Sequence, residues 1–342
     1  MQRGGLVDPA EILHEGIVGQ AFAQRMLANM IRREMIPHAA LLWGPAGVGK
    51  LSLAKSFAAA LNCTGRGDSV SACGSCSSCR LLASGNHPDV RVVEPDRRNI
   101  GIDQIRDTIE AVSYRSYSSK WKVWIFRHAD LMTEQAANSL LKILEDPPSN
   151  TVFILTAQNL YSILPTVVSR CRLVRLSLVP QETIEHLLLT RHGVSKEQAR
   201  IQSYLCGGSV GAALEACSDQ SLDEGRLAAI QSIRDLAGKP TWEVLAAAAH
   251  VNETTKGLAL DRFLHILSYW YRDLLICRTV QDMDRVANID MLDEARADSQ
   301  RYSVAGLIRR LRYIFEAQRQ LAANASAGLV LDRLYLALSA LD

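Results

Sequence analysis

Two groups of residues in this chain have the types and spacing to do chemistry. The first is Gly44-Pro45-Ala46-Gly47-Val48-Gly49-Lys50, which fits G-x-x-x-x-G-K. A short apolar run, Ala39 to Trp43, enters it, and an apolar helical pattern leaves it. In the order strand, loop, helix, backbone N–H groups cradle phosphates while the lysine reaches the terminal ones. The helix behind the loop adds its positive N-terminal dipole. Gly44, Pro45, Gly47, Val48, Gly49 and Lys50 are therefore the candidate nucleotide-binding residues. The second group is Cys63-x9-Cys73-x2-Cys76-x2-Cys79. Four thiols at this spacing match the closed shell of structural zinc, which leaves no open position for catalysis. The small residues between them (Gly65, Gly67, Gly74, Ser77, Ser78) suit a tight metal knuckle. An iron–sulfur cluster is the alternative occupant of such a thiolate set.

The metal half of nucleotide chemistry is missing around the loop. The residue after the lysine should carry a hydroxyl for Mg²⁺; it is Leu51, and Ser52 lies one step on, about 100° around the helix. A later strand should end in an acid that holds the metal and a second that positions water. The run Lys122 to Phe126 ends instead in Arg127-His128. Asp130 stands three residues past Arg127, too far along to take the role without a distorted loop. No intrinsic ATPase activity is expected, while binding of ATP or ADP through Lys50 stays open.

The elements that position these groups follow from periodicity. Residues 1–37 read as a helical lead-in, with Val18, Phe22, Met26, Leu27, Met30 and Ile31 at helical spacing before Pro37. Short apolar runs at Val90–Val93, Trp121–Phe126, Thr151–Ala157 and Arg172–Leu178 read as strands. Helices are expected at Leu51–Leu61, around Ile102–Val112 and at Met132–Leu144. Strands alternating with helices around a phosphate loop imply a doubly wound parallel sheet. The cysteine insert sits between the first helix after the loop and the second strand. From Pro180 onward only helical patterns occur, first Gln181–Arg191, Lys196–Leu205 and Ser209–Cys217. Ser218 to Gly225 reads as a linker. Apolar stripes at Leu260–Leu275, at Leu307, Leu311, Ile314, Phe315 and Leu321, and at Leu331–Leu338 then make a helical bundle.

The whole chain is 342 residues with net charge +2, 48% apolar and 22% charged. Such a composition is ordinary for a globular protein of two or three domains, and any contact with nucleic acid must be local. No run of about 18 apolar residues indicates a membrane span. The N-terminal MQRGGLVDPAEILHE carries acids where a signal peptide needs an apolar run, so the expected location is cytoplasmic. Four further cysteines (Cys171, Cys206, Cys217, Cys277) are scattered in apolar contexts and read as small core residues.

With these residues in view, the sequence resembles the bacterial clamp-loader AAA+ subunits of DNA polymerase III. The resemblance rests on Ile17-Val18-Gly19-Gln20, the loop at Gly44 to Lys50 and the four cysteines. It continues through Ala136 to Pro148 (AANSLLKILEDPP) and Leu164 to Cys171 (LPTVVSRC). Trp270 to Leu275 and Asn324 to Ala327 look like the family's collar helices. It implies an AAA+ domain over residues 1–179 with a zinc module at about 63–79. A helical lid over 180–222 and a C-terminal helical collar for oligomerisation over 223–342 complete the implied chain.

Departures from the family pattern separate its motor subunits (gamma/tau) from its non-hydrolysing branch. Motors keep the hydroxyl, the acid pair and a lid arginine; this chain has Leu51, Arg127-His128 and Gly211 in those places. The resemblance implies a non-hydrolysing ring member that assists motor subunits and the delta subunit in loading the sliding clamp onto primed DNA. Arg170, in the Ser169-Arg170-Cys171 triplet, is implied as an arginine finger for a neighbour's ATP site. Arg97, Arg98 and Arg106 could meet DNA phosphates. Two rival readings are a catalytically active motor-like AAA+ ATPase, with Asp130 as its acid, and a zinc-dependent DNA-binding module.

Overall fold

The structure is a computed structural model that describes residues 16–96, 98–113, 119–219, 221–236, 238–255, 258–280 and 282–340. The chain divides into two compact units. One holds the residues up to Ile184 with Gly208–Gly211, the other Glu185–Gly207 and Ala212 onward.

The first unit is built on five parallel strands: β1 (Ala39–Trp43), β2 (Val90–Val93), β3 (Lys122–Phe126), β4 (Thr151–Ala157) and β5 (Arg172–Arg175). Their order across the sheet is β2-β3-β4-β1-β5. The register sets Leu41 of β1 opposite Leu155 of β4 on one side and Leu173 of β5 on the other. Six helices of this unit are α1 (Ala21–Arg32), α2 (Lys50–Asn62), α3 (Ser77–Ala83), α4 (Ile102–Ser113), α5 (Glu134–Glu145) and α6 (Pro165–Val168). Because side chains alternate across a strand, each central strand feeds two cores. Leu42, Val123, Ile125, Val152 and Ile154 pack with Leu27, Phe57 and Leu61 of α1 and α2. Leu41, Trp124, Phe126, Phe153 and Leu155 pack with Ile105, Leu140 and Leu144 of α4 and α5. Both faces are thus covered, as a continuous apolar strand requires. The expected doubly wound sheet is present.

This winding places the phosphate loop at the carboxyl end of β1. The chain leaves β1 for β2, three places away, while β5 closes the other side. Ligand crevices of open α/β sheets lie at such reversals.

The remaining helices are α7 (Gln181–Arg191), α8 (Lys196–Leu205), α9 (Val210–Ser218), α10 (Ser221–Arg234), α11 (Thr241–Thr254), α12 (Leu258–Thr279), α13 (Leu292–Ser299), α14 (Val304–Ala322) and α15 (Ala327–Ser339). In the second unit Leu264, Leu267, Trp270, Tyr271 and Leu274 of α12 share a core with Leu307 and Ile314 of α14. Leu331, Leu334 and Tyr335 of α15 complete it. Arg226 of α10 is buried in this unit at 1% exposure. Its guanidinium pairs with Asp223 and Asp290 and donates to Asn288 Oδ1 at 2.9 Å. Asn288 Nδ2 passes the chain of bonds to the buried Asp273 at 2.8 Å. A buried charge needs such company, since removing one partner leaves the other desolvated and unpaired. No helix among the described residues is long and apolar enough to cross a membrane.

Four sequence expectations are corrected. The linker at Ser218–Gly225 is helical from Ser221, because Asp223 and Glu224 favour the first turn of α10 and Arg226 anchors it. Phe22 is 71% exposed; α1 is rotated so that Ala23, Leu27, Ala28 and Ile31 face inward. The last strand ends at Arg175 rather than Leu178. Phe315 is exposed on α14, while Leu307 and Ile314 supply that helix's buried face. Of the scattered cysteines Cys277 is buried and the other three are half-buried.

Candidate nucleotide and metal sites

The phosphate loop begins where Gly44 N–H donates to Ala157 O at the end of β4, 3.1 Å away. Gly47 and Gly49 take left-handed backbone (φ +68° and +95°), which glycine adopts without a Cβ penalty. Gln20 ties the loop to the chain beyond β5: its Nε2 donates to Ser177 O (2.7 Å) and Val48 O (3.3 Å), and its Oε1 accepts from Ser177 N–H (3.1 Å). Lys50 is turned back on the loop. Its ammonium donates to Gly44 O at 2.6 Å and Pro45 O at 2.5 Å and is 8% exposed. Burial lowers its pKa, and the nearby Asp130 carboxylate opposes that shift. Over the loop, Gly211 N–H donates to Gly47 O at 2.8 Å. A cavity of about 230 Å³ remains, walled by Lys50, Leu51, Ser52, Arg127, His128 and Thr156 among others, with no carboxylate in its lining. It is smaller than the ~300–1,000 Å³ usual for ligand pockets.

Around that cavity the residues at the positions where metal ligands were expected have other surroundings. Leu51 packs against the α1–α2 core, and Ser52 is exposed. Arg127 Nη1 donates to Glu94 Oε1 at 3.0 Å. His128 takes left-handed backbone (φ +56°), so the distorted loop that would bring Asp130 back does exist. Asp130 Oδ2 accepts from Gln158 N–H at 3.0 Å, and Asp130 is absent from the cavity wall. Its Oδ1 is buried without a hydrogen-bond partner among the described residues.

The four cysteines come together as their spacing predicts, with all Sγ atoms within 4.8 Å of one another. A tetrahedral zinc with Zn–S of about 2.3 Å needs sulfurs about 3.8 Å apart; Cys63 and Cys76 Sγ lie at 3.9 Å. Backbone donors are aimed at the sulfurs, from Cys73 N to Cys63 Sγ (3.2 Å) and from Cys76 N to Cys73 Sγ (3.3 Å). Cys76 Sγ accepts from Cys79 N–H at 3.5 Å and so caps α3. These bonds favour thiolates. The Cys79 N–H draws the Cys76 thiol down to about 5, and the Ser75 N–H draws Cys73 down to about 7. Burial pushes Cys79 up to about 12 and raises Cys63. A Cβ on Gly65 would lie 3.1 Å from Cys73 Sγ, a close approach that would press on that sulfur. The donor set fits a metal ion.

Arg170 follows α6 and is 35% exposed. Its Nη2 lies 2.5 Å from Glu145 Oε1, and its Nη1 donates to Thr166 O at 3.0 Å. Arg98 is exposed, and Arg106 is exposed beside Asp103 on α4; Arg97 lies outside the described residues. Sequence reasoning assigned no role to Gln20 or Glu145. Both stood inside motifs it quoted, but their partners lie 157 and 25 residues away, beyond any local pattern.

Comparison with known proteins agrees with this architecture. Residues 19–180 match the family model described as DNA polymerase III, delta subunit. The DNA polymerase III subunit delta' of Bacillus subtilis is 28% identical over 324 residues, 93% of this chain and 96% of that one. Its counterpart in Pseudomonas aeruginosa is 41% identical over 150 residues, 43% of this chain and 45% of that one. The tau subunit of Bacillus subtilis is 35% identical over 158 residues, 46% of this chain and 28% of that one. With its five-stranded parallel sheet, its helical C-terminal half and a likeness that spans nearly all of a delta' subunit, the chain is similar to the clamp-loader subunits of DNA polymerase III.

Proposed function

We propose that this chain is the delta'-type, non-hydrolysing member of a DNA polymerase III clamp loader, assisting ATP-driven loading of the sliding clamp onto primed DNA. The observation that carries this reading is the cavity over the phosphate loop, which presents Lys50, Arg127 and His128 and no carboxylate. Phosphoryl transfer needs a metal held by acid and hydroxyl ligands. A cationic wall without them neither holds Mg²⁺ nor activates water. The chain's contribution to the chemistry is then made in trans. Arg170 reaches the ATP site of a gamma/tau-type neighbour, where a planar, always charged guanidinium matches phosphate oxygens.

The rest of the reading completes this role. The four cysteines hold structural zinc. Residues 1–179, 180–222 and 223–342 act as AAA+ domain, lid and oligomerising collar. Motor subunits, the delta subunit, the clamp and primer–template DNA are the partners, in the cytoplasm. Weak binding of ATP or ADP through Gly49 and Lys50 is compatible with this role, because Lys50 can exchange its loop carbonyls for phosphate oxygens.

The test is Arg170→Ala in a complex reconstituted with the motor and delta subunits. Assembly should persist, while clamp-stimulated ATP turnover and loading on primed DNA fall. A single finger contributes roughly 10³ to 10⁵ in rate at the site that depends on it; the total falls less, because the other sites of the ring continue. Unchanged loading by a fully assembled variant complex overturns the reading.

A further inference from the structure

Glu145 is the last residue of α5, followed by Asp146 and two prolines that end the helix. A carboxylate there sits at the negative end of the helix dipole, where it is disfavoured. Helix stability therefore does not account for it. Its partner is the Arg170 guanidinium, with Oε1 2.5 Å from Nη2. The other contacts of Arg170, to Thr166 O (3.0 Å) and Ser169 Oγ (3.5 Å), come from its own short helix and its chain neighbour and move with it. Glu145 alone among these contacts belongs to another element, and that element is packed into the sheet through Leu140 and Leu144.

A guanidinium offers five N–H donors in one plane. Here the described bonds engage only its two Nη atoms, and the side chain stays 35% exposed. We propose that Glu145 is a positioning residue for Arg170, pinning one edge of the guanidinium to the end of α5. The unengaged donors are thereby preorganised as a fork for a phosphoryl group across a subunit seam. This rests on Arg170 acting in trans, and it adds what holds the side chain ready. An arginine left free would have to give up rotamer freedom on engaging phosphate. Pinning lowers that penalty in advance, and preorganised donors are the effective kind in charge stabilisation. An exposed ion pair contributes little to folding, so its effect is expected on turnover rather than on stability.

The experiment uses the reconstituted complex carrying Arg170→Ala, Glu145→Ala, Glu145→Gln or both alanine changes. Glu145→Ala is expected to lower the Arg170-dependent part of clamp- and DNA-stimulated ATP turnover by roughly threefold to thirtyfold, within the range of coupling between residues in contact. Glu145→Gln keeps an oxygen acceptor and should recover most of the loss. The double variant should be no slower than Arg170→Ala alone. Glu145→Ala turnover that is unchanged or faster, or a double variant with additive losses, overturns the proposal while leaving the Arg170 reading standing. An Arg170→Ala complex of normal turnover overturns both, which separates the two failures. Should Glu145→Ala not assemble, Glu145→Asp decides, since it keeps the charge but retracts the oxygen by one methylene: lowered turnover supports the pin, and unchanged turnover removes it.

Discussion

The backbone N–H of Gly211 donates to the carbonyl of Gly47 at 2.8 Å, so the residue that the resemblance sets in the place of a motor's lid arginine lies directly on the phosphate loop. A Cβ at 211 would meet Gly47 Cα at 3.0 Å and Gly47 O at 3.3 Å. An arginine cannot be accommodated there while this contact stands. The glycine at 211 and the closed loop are two aspects of one packing arrangement.

Gly211→Ala is therefore expected to destabilise the protein. Alanine in a helix is favoured over glycine by about 1 kcal/mol, but Gly47 cannot retreat, because Gln20 holds the adjoining Val48 carbonyl at 3.3 Å. Overpacking of this kind costs about 1–3 kcal/mol, which outweighs the propensity gain. Urea denaturation of both proteins measures the difference; a more stable variant would mean that the contact is loose.

The isolated chain should turn over no ATP, and neither Lys50→Ala nor Asp130→Asn should change that. Lys50 already has two carbonyl partners, and Asp130 accepts from Gln158 N–H. Steady turnover near 1 per second, within the ordinary enzyme range of about 1–10³ per second, and lost on Lys50→Ala, would restore the motor-like reading.

Metal analysis of protein purified without added zinc should find close to one equivalent per chain. Cys76→Ser should release it, because it removes both a ligand and the sulfur that caps α3. Circular dichroism should retain the signal of the sheet, whose cores are filled mostly by the strands and by α1, α2, α4 and α5. Acid should release the ion as well, since protons compete for thiolates. Zinc-free protein with four titratable thiols would contradict the assignment.

His87 makes stability depend on pH. Its Nδ1 accepts from Asp89 N–H at 3.2 Å, so the neutral ring carries its proton on Nε2, 3.0 Å from Ser78 Oγ. Burial lowers its pKa below the ordinary 6.5, against the opposing field of the Asp89 carboxylate. The unfolded chain then binds the proton more readily, and stability falls with pH. The contribution is complete above about 6.5 and is lost as pH drops from there through the lower folded value. Denaturation midpoints at pH 7.5 and 5.5 should differ more for the native protein than for His87→Gln. Equal differences would show that His87 is not the titrating group.

Elements with their own period were legible in the residues. β1, β3 and β4 are continuous apolar runs, and α7 and α8 begin and end where the pattern said. The phases of α1 and α14 were not legible, because periodicity identifies a helix while its rotation is settled by what packs against it. Phe22 and Phe315, both 50% exposed or more, fell on the wrong side for that reason. The Ser218–Gly225 stretch is polar enough to read as a linker, yet the burial of Arg226 against Asp290, 64 residues away, makes it helical.

By itself the sequence determined the chemical inventory: a G-x-x-x-x-G-K loop, four thiols at metal spacing, and Leu51 and Arg127-His128 where a hydroxyl and an acid pair would be expected. These are statements of residue type and local spacing, and side-chain chemistry does not depend on the fold. Only the tertiary structure decided how those groups are used. Lys50 bonds its own loop, Gly211 closes on Gly47, and Asp130 is drawn back toward the site yet bonded to Gln158. Arg170 is pinned by Glu145 from a separate helix. Apart from the Lys50 bonds, which stay within its loop, each of these joins residues distant in the chain or turns on a backbone angle, such as the left-handed His128. Such contacts form only when the packed sheet brings helix ends and loops to the same edge, and no one-dimensional pattern encodes that meeting.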